Sequence, residues 1–407
     1  MKPTASPTIS LAAIEEAHAT MRDQVHNTPL DRSRTFSDLV GCELYLKLEN
    51  MQKTGSFKLR GAYNKIQSLT AAEKARGVIA ASAGNHAQGV AYAATLAGIK
   101  STIVMPEIAP LAKVIATRGY KAEVVLSGLG YDEAFEKAKH IQRESGQVFV
   151  HAYNDPYVIA GQGTIGLEIL QALEDVSAVV VPIGGGGLAA GIALAIKEKA
   201  PHVKVYGVQA KGAPAMYISK QQHTLKTTPD AVTIADGIAV KAPGDITFGL
   251  IDRYLDDVVV VDDEAIASTI LMLLERAKLM VEGAGAVSLA ALLNHLLPVS
   301  GKVVSVISGG NIDVNFISRI IERGLVKAGR RVKIITRVTD RPGALNRLLT
   351  IIASLRANVI HVFHDRVERN VPLGQAVVEV SMETQDAMHT ETILTTLRQE
   401  GYVVELI

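Results

Sequence analysis

Lys58 stands where a lysine can do chemistry. Glu43-Leu-Tyr-Leu-Lys-Leu-Glu49 alternates apolar and charged residues like a half-buried strand, Gly55 breaks the chain, and Gly61-Ala-Tyr-Asn-Lys-Ile66 continues at helical period. The lysine therefore falls at a helix start, near the positive end of the helix dipole. That setting favours the neutral amine that a Schiff base or a general base requires. Taken alone, the position suits an ordinary surface lysine at least as well. Four successive glycines, Gly184, Gly185, Gly186 and Gly187, lie between an apolar strand and a helix beginning at Leu188. Their N–H groups can converge on an anion such as phosphate, and a plain tight turn would need only one or two of them. A second glycine loop holds Ser82, Ala83, Gly84, Asn85 and His86. Asn85 can donate from its amide or simply serve the turn, and His86 reads as a structural cap of the next helix. Ser308 ends a strand ahead of Gly309-Gly-Asn311, the usual place for ligand contacts in an open parallel sheet, although a terminal serine also pairs with backbone.

The elements that must position these residues alternate along the chain. Residues 8 to 26 have helical spacing, with Ser10 placed to cap them and Asn27-Thr-Pro29 to stop them. Val78-Ile-Ala-Ala81, Ser101 to Met105, Ala122 to Leu126 and Val148 to His151 read as strands, separated by helices up to Ala97, over Leu111 to Arg118 and over Tyr131 to Ser145. The pattern restarts at Pro156 with a helix to Leu173, then the strand Ala178 to Pro182, the glycine loop and a helix to Lys199. Strands follow at Val203 to Val208, Asp257 to Val261 and Val303 to Ile307, with a helical stretch from Ala265 to Leu297 interrupted at Gly283-Ala-Gly285. This order predicts an α/β core of two lobes with parallel sheets, residues 1–328, the smaller lobe inserted at about 50–154. After Gly329-Arg-Arg331 the order becomes βαββαβ, which predicts a separate ferredoxin-like sheet over 329–407 with two helices on one face.

Composition excludes several classes of partner. Forty-two basic and forty-one acidic residues leave a formal charge of +1 with no long run of one sign, which argues against nucleic acid and membrane surfaces and for a small molecule. The single cysteine, Cys42, suits a reducing compartment, and acidic residues interrupt the N-terminal region as no signal peptide would allow, so a cytoplasmic protein is expected. Ser177 to Ile196 runs without a charge for the length of a membrane span, but Pro182 and the glycines would break such a helix, and no transmembrane segment is predicted.

Three stretches, in order, carry a resemblance. Thr54-Gly-Ser-Phe-Lys-Leu-Arg-Gly61, Ser82-Ala-Gly-Asn-His-Ala-Gln-Gly89 and Gly184-Gly-Gly-Gly-Leu188 resemble the motifs of fold-type II pyridoxal-phosphate enzymes, the group of threonine and serine dehydratases, serine racemase and tryptophan synthase β. The likeness covers residues from about 10 to 325, and the remainder, opening on Thr339-Asp-Arg-Pro-Gly-Ala-Leu345, is similar to an ACT domain. The resemblance implies that Lys58, with Phe57 beside it, carries pyridoxal 5'-phosphate. It further implies that Gly184 to Leu188 cradle the cofactor phosphate, that Asn85 bonds the 3′ oxygen and that Ser308 meets the ring nitrogen. Ser82, Ala83, Gly84, Asn85 and His86 would form the loop at the substrate carboxylate. A neutral serine at the ring nitrogen leaves a weaker electron sink than an aspartate would, so prompt loss of a β leaving group is expected.

The implied activity is dehydration and deamination of L-threonine to 2-oxobutanoate and ammonia, with weaker action on L-serine. Serine racemases carry a second serine where this chain has Ala83, and a methyl group donates no proton, so elimination is favoured over racemisation. A serine racemase or serine-specific dehydratase is the alternative on the same fold, and a non-catalytic amino-acid-binding regulator is the alternative of another class. Cation-binding relatives place a glutamate where Gln209 stands, so no metal is assigned. The ACT resemblance implies an amino-acid effector, and the family implies a homo-oligomer, tetramer or dimer.

Overall fold

The apolar runs become strands flanked by helices. In chain order the strands of the core are β1 Leu30–Arg32, β2 Glu43–Leu48, β3 Val78–Ala81, β4 Ser101–Met105, β5 Glu123–Leu126, β6 Val148–Phe149, β7 Val176–Pro182, β8 Lys204–Ala210, β9 Asp257–Val261 and β10 Lys302–Ile307. The computed structural model describes residues 9–367 and 371–407, so residue 8, the expected start of the first helix, lies outside the described residues. The chain divides into two compact units, the first ending at Ile312 and the second beginning at Asp313.

Within the first unit one sheet has the order β1-β2-β10-β7-β8-β9, with β1 antiparallel to β2 and the other neighbours parallel. A smaller sheet, β5-β4-β3-β6, is wholly parallel. It is built from chain lying between β2 and β7, so the smaller lobe interrupts the larger one. Both faces of β3 and β4 are buried, which is why these strands read as continuous apolar runs rather than alternations. Local signals set the helix starts: Ser10 accepts from Ala13 N, and Asp155 accepts from Tyr157 N and Val158 N with Pro156 in the first turn.

Sequence and structure part in several places. The antiparallel edge β1 and the helices Arg34–Val40, Ala71–Arg76, Ala215–Gln221 and Asp245–Tyr254 are additions. The expected break at Gly283-Ala-Gly285 lies earlier: helix Asp263–Met272 runs into a π-helical turn, Leu273–Ala277, and stops at Lys278, which is left-handed at φ +60°. Gly283 and Gly285 instead open helix Gly283–Leu293, where a Cβ at Gly283 would lie 2.8 Å from the Ala235 Cα and one at Gly285 would strike the Gly309 carbonyl. Close packing, not helix breaking, requires these glycines.

The second unit begins with helix Val314–Lys327, which packs on β11 Arg331–Thr339; this stretch lies within the residues 1–328 expected of the core, and no helix was read there from sequence. Helix Ala344–Ser354, β12 Asn358–Asp365, β13 Gln375–Glu383, helix Ala387–Gln399 and β14 Val404–Leu406 complete the βαββαβ order in an antiparallel sheet, β12-β13-β11-β14. Among the described residues no helix is long and apolar enough to cross a membrane; the uncharged run from Ser177 divides into β7, the glycine loop and helix Gly187–Lys199.

Candidate active site

The end of β10 fixes the lysine turn. Ser56 bridges Gly309, and Phe57 N donates to Ser308 O at 3.1 Å, so the turn is held against the last residue after the strand. Lys58 is the first residue of helix Lys58–Gln67. Helix Asn85–Leu96 lies so close that a Cβ at Gly89 would sit 3.1 Å from Leu59 N. Lys58 Nζ donates to the Ala152 carbonyl at 2.9 Å and lies 5.1 Å from the centre of the Phe57 ring. Burial pulls its pKa down to about 8, with the charge of Glu282 opposing the shift.

A buried charge network anchors the same helix from behind. Arg60 grips Glu49 through Nε and Nη2, both at 2.8 Å, and reaches Glu168 at 2.6 and 2.9 Å, while Lys47 Nζ adds a bond to Glu168 at 2.6 Å. Two cations face two carboxylates, and all four are buried. Matched charge with this many hydrogen bonds is what makes such burial tolerable.

The glycine loop leaves no room for side chains. A Cβ at Gly185 would fall within the Tyr153 ring, one at Gly187 would lie 2.7 Å from Gln162 Oε1, one at Gly184 would lie 3.0 Å from the Ile238 Cα, and Gly186 adopts φ +100°. Helix Gly187–Lys199 follows without a side-chain cap, so backbone amides and the helix dipole are what the loop presents to an anion. Leu188 is buried beneath it.

The remaining expected residues divide. Ser308 is buried, and among the described residues its hydroxyl makes one hydrogen bond, to Ala284 O, long at 3.3 Å, which leaves it able to turn to another partner. Asn85 does not sit in a turn; it begins its helix, donates from Nδ2 to Glu282 Oε1 at 2.6 Å and accepts at Oδ1 from Asn311 at 2.8 Å. Ser82 accepts from Gly84 N at 3.1 Å, and Ser82, Ala83 and Gly84 are half-buried. His86 does not cap the helix, since Gly84 holds that position. Its ring Nε2 meets Val150 O at 2.8 Å, and burial depresses its pKa to about 3. Gln209 is buried and accepts from Tyr217 N at 2.7 Å.

Sequence reasoning missed Glu282, Tyr153 and Gln162. Glu282 is the clearest omission, and a lone carboxylate in the apolar run Leu279-Met-Val-Glu-Gly-Ala-Gly-Ala-Val287 was its signal. Burial first, then the neighbouring charge of Asp236, raises its pKa to about 7. The groups present fit pyridoxal phosphate: a half-buried amine of depressed pKa, a Cβ-free anion cradle and a buried serine hydroxyl with a weak bond.

Residues 21–309 match the model of the pyridoxal-phosphate dependent enzymes, and residues 332–401 match that of the ACT domain. The chain is 55% identical over 399 residues to an L-threonine ammonia-lyase of Thermotoga maritima, covering 98% of this chain and 100% of that protein. Among solved structures, maize serine racemase superposes with TM-score 0.74 at 37% identity, covering 80% of this chain and 99% of the other. The processed form of threonine deaminase isoform 2 from Solanum lycopersicum gives 0.74 at 36%, covering 79% and 95%. This chain belongs to the pyridoxal-phosphate dependent enzymes of fold-type II and carries a C-terminal ACT domain.

Proposed function

We propose that the protein is an L-threonine ammonia-lyase that also acts, more weakly, on L-serine. The observation that carries this reading is Lys58, a half-buried amine with a pKa of about 8, in a chain that also holds a glycine cradle and is 55% identical over 399 residues to a protein of that name. Bound pyridoxal phosphate supplies an aldehyde that captures an amine and a ring that draws electrons from Cα.

The chain's own groups do the rest. Gly184, Gly185, Gly186, Gly187 and Leu188 would hold the phosphate on backbone amides, Phe57 would lie beside the ring, Asn85 would bond its 3′ oxygen, and Ser308 would meet its nitrogen as a neutral partner. The loop Ser82, Ala83, Gly84, Asn85 and His86, at a helix N-terminus, receives the substrate carboxylate. For His86 this role falls to the main chain, because its ring is engaged with Val150 O. The Lys58 amine takes the Cα proton; its pKa keeps a useful fraction neutral near physiological pH. Loss of the β-hydroxyl as water leaves an enamine, and water then replaces nitrogen to give 2-oxobutanoate and ammonia.

Ala83 supports elimination over racemisation, since it offers no proton to the opposite face of Cα. The reading carries with it a cytoplasmic location, which the single Cys42 suits, a core over 1–328 with an ACT module over 329–407, a homo-oligomer, and an amino-acid effector at that module. The test is a keto-acid assay on L-threonine and L-serine with chiral analysis of the residual serine. The reading expects 2-oxobutanoate from threonine, slower pyruvate from serine and no D-serine; accumulation of D-serine in place of keto acid would contradict it.

A further inference from the structure

Glu282 is a buried carboxylate in the cleft that the steps above leave without work. Its side chain does not cap helix Gly283–Leu293, and its backbone N–H goes to Gly309 O at 3.1 Å. Oε1 takes the bond from Asn85 Nδ2 at 2.6 Å. Two glycines lie against that oxygen: a Cβ at Gly309 would overlap it, and one at Gly237 would lie 3.5 Å away.

Asn85 is gripped at both ends. Its Oδ1 accepts from Asn311 Nδ2 at 2.8 Å, and that same nitrogen donates to Thr54 O at 2.8 Å, four residues before the catalytic lysine. The bonds run Thr54, Asn311, Asn85, Glu282. An amide nitrogen has two hydrogens, so with one given to Glu282 the direction of the other is set.

We infer that Glu282 is a positioning residue for the reaction at Lys58: as a carboxylate it holds the Asn85 amide with one N–H free for the ligand, and as a carboxylic acid it holds it less firmly. This rests on the cleft being the lyase site proposed above. A carboxylate makes a shorter and roughly twofold stronger hydrogen bond than a neutral oxygen, so protonation loosens the amide without removing its partner. The charged groups facing Glu282 are Asp236, which raises its pKa, and Lys113 and Lys58, which lower it; Lys113 is itself paired with Asp236 at 2.7 Å. With burial dominant, the change of state falls at about pH 7.

The experiment uses the holoenzyme with pyridoxal phosphate bound, as wild type, Glu282→Gln and Glu282→Ala. kcat and KM for threonine and the visible absorbance of the cofactor are followed from about pH 6 to about pH 9. Wild-type kcat should fall about tenfold below about pH 7 to a plateau, with a spectral change over the same range. Glu282→Gln keeps size and acceptor but not charge. It should lose the step at about pH 7 and keep only the limb that Lys58 sets at about pH 8, with no spectral change near pH 7 and KM within about threefold. Glu282→Ala should lose about a hundredfold in kcat as the amide swings free. The step at about pH 7 retained in Glu282→Gln, or wild-type kcat in Glu282→Ala, overturns the assignment. If the wild type does not turn over threonine, the lyase reading fails on its own. The spectral titration then still decides: its loss in Glu282→Gln upholds the role of Glu282 and its persistence overturns it.

Discussion

Burial decides the protonation of Lys58, His86, His151 and Glu282. It lowers Lys58 to about 8, His86 to about 3 and His151 to about 4, and it raises Glu282 to about 7. A neutral His151 is also what the hydrogen bonds require, because its Nδ1 accepts from Tyr153 N at 3.2 Å and Asn154 N at 2.9 Å. For Glu282 the shift is a stability statement. An acid whose folded pKa lies above its unfolded value of 4.5 binds more protons folded than unfolded between those values, so stability falls as pH rises from about 4.5 to about 7 and stays lower above that. Glu282→Gln should therefore be more stable than wild type by about 3 kcal/mol above pH 7 and equal to it below pH 4.5, measured by urea unfolding of the cofactor-free proteins. Equal stability of the two at all pH values would mean that the carboxylate is solvated. Lys58 was legible from its neighbours in sequence. Glu282 was marked only by its isolation in an apolar run, and its role was not legible because its partner Asn85 is 197 residues away and no local pattern joins them.

At the scale of elements, the glycine loop and the lysine helix are held by different physics. The loop depends on missing atoms. Gly185→Ala would place a methyl group in the Tyr153 ring, and the backbone shift needed to relieve it should weaken cofactor affinity by at least about tenfold, read by equilibrium dialysis against pyridoxal phosphate. The lysine helix depends on paired charges. Arg60→Met leaves Glu49 and Glu168 buried with only Lys47 and neutral donors, and should cost about 3–5 kcal/mol in denaturant unfolding. Arg60→Lys should recover little of it, since one ammonium cannot span both carboxylates as the guanidinium fork does. Strands such as β3, β4 and β7 were legible because they are buried nearly throughout and their apolar runs are continuous. Helices Ala215–Gln221 and Asp245–Tyr254 were not, being short and flanked by polar chain. The Gly283-Ala-Gly285 stretch misled because a glycine required by close packing and one that breaks a helix look the same in sequence.

At the scale of the whole molecule, the chain joins an enzyme core to an ACT domain, and the change of strand order and polarity after Gly329 announced that junction. Where the second unit begins was less legible, since helix Val314–Lys327 is amphipathic and would suit either side. A chain ended at Ile312 should retain threonine turnover within several-fold and lose any response of kcat or KM to added amino acids. An unaltered response in the shortened chain would place the effector site in the core. The central claim is that one amine carries the cofactor. Borohydride reduction of the holoenzyme followed by peptide mapping tests it most directly: the account predicts a pyridoxyl label on Lys58 alone, and a label on another lysine, or none, would contradict it.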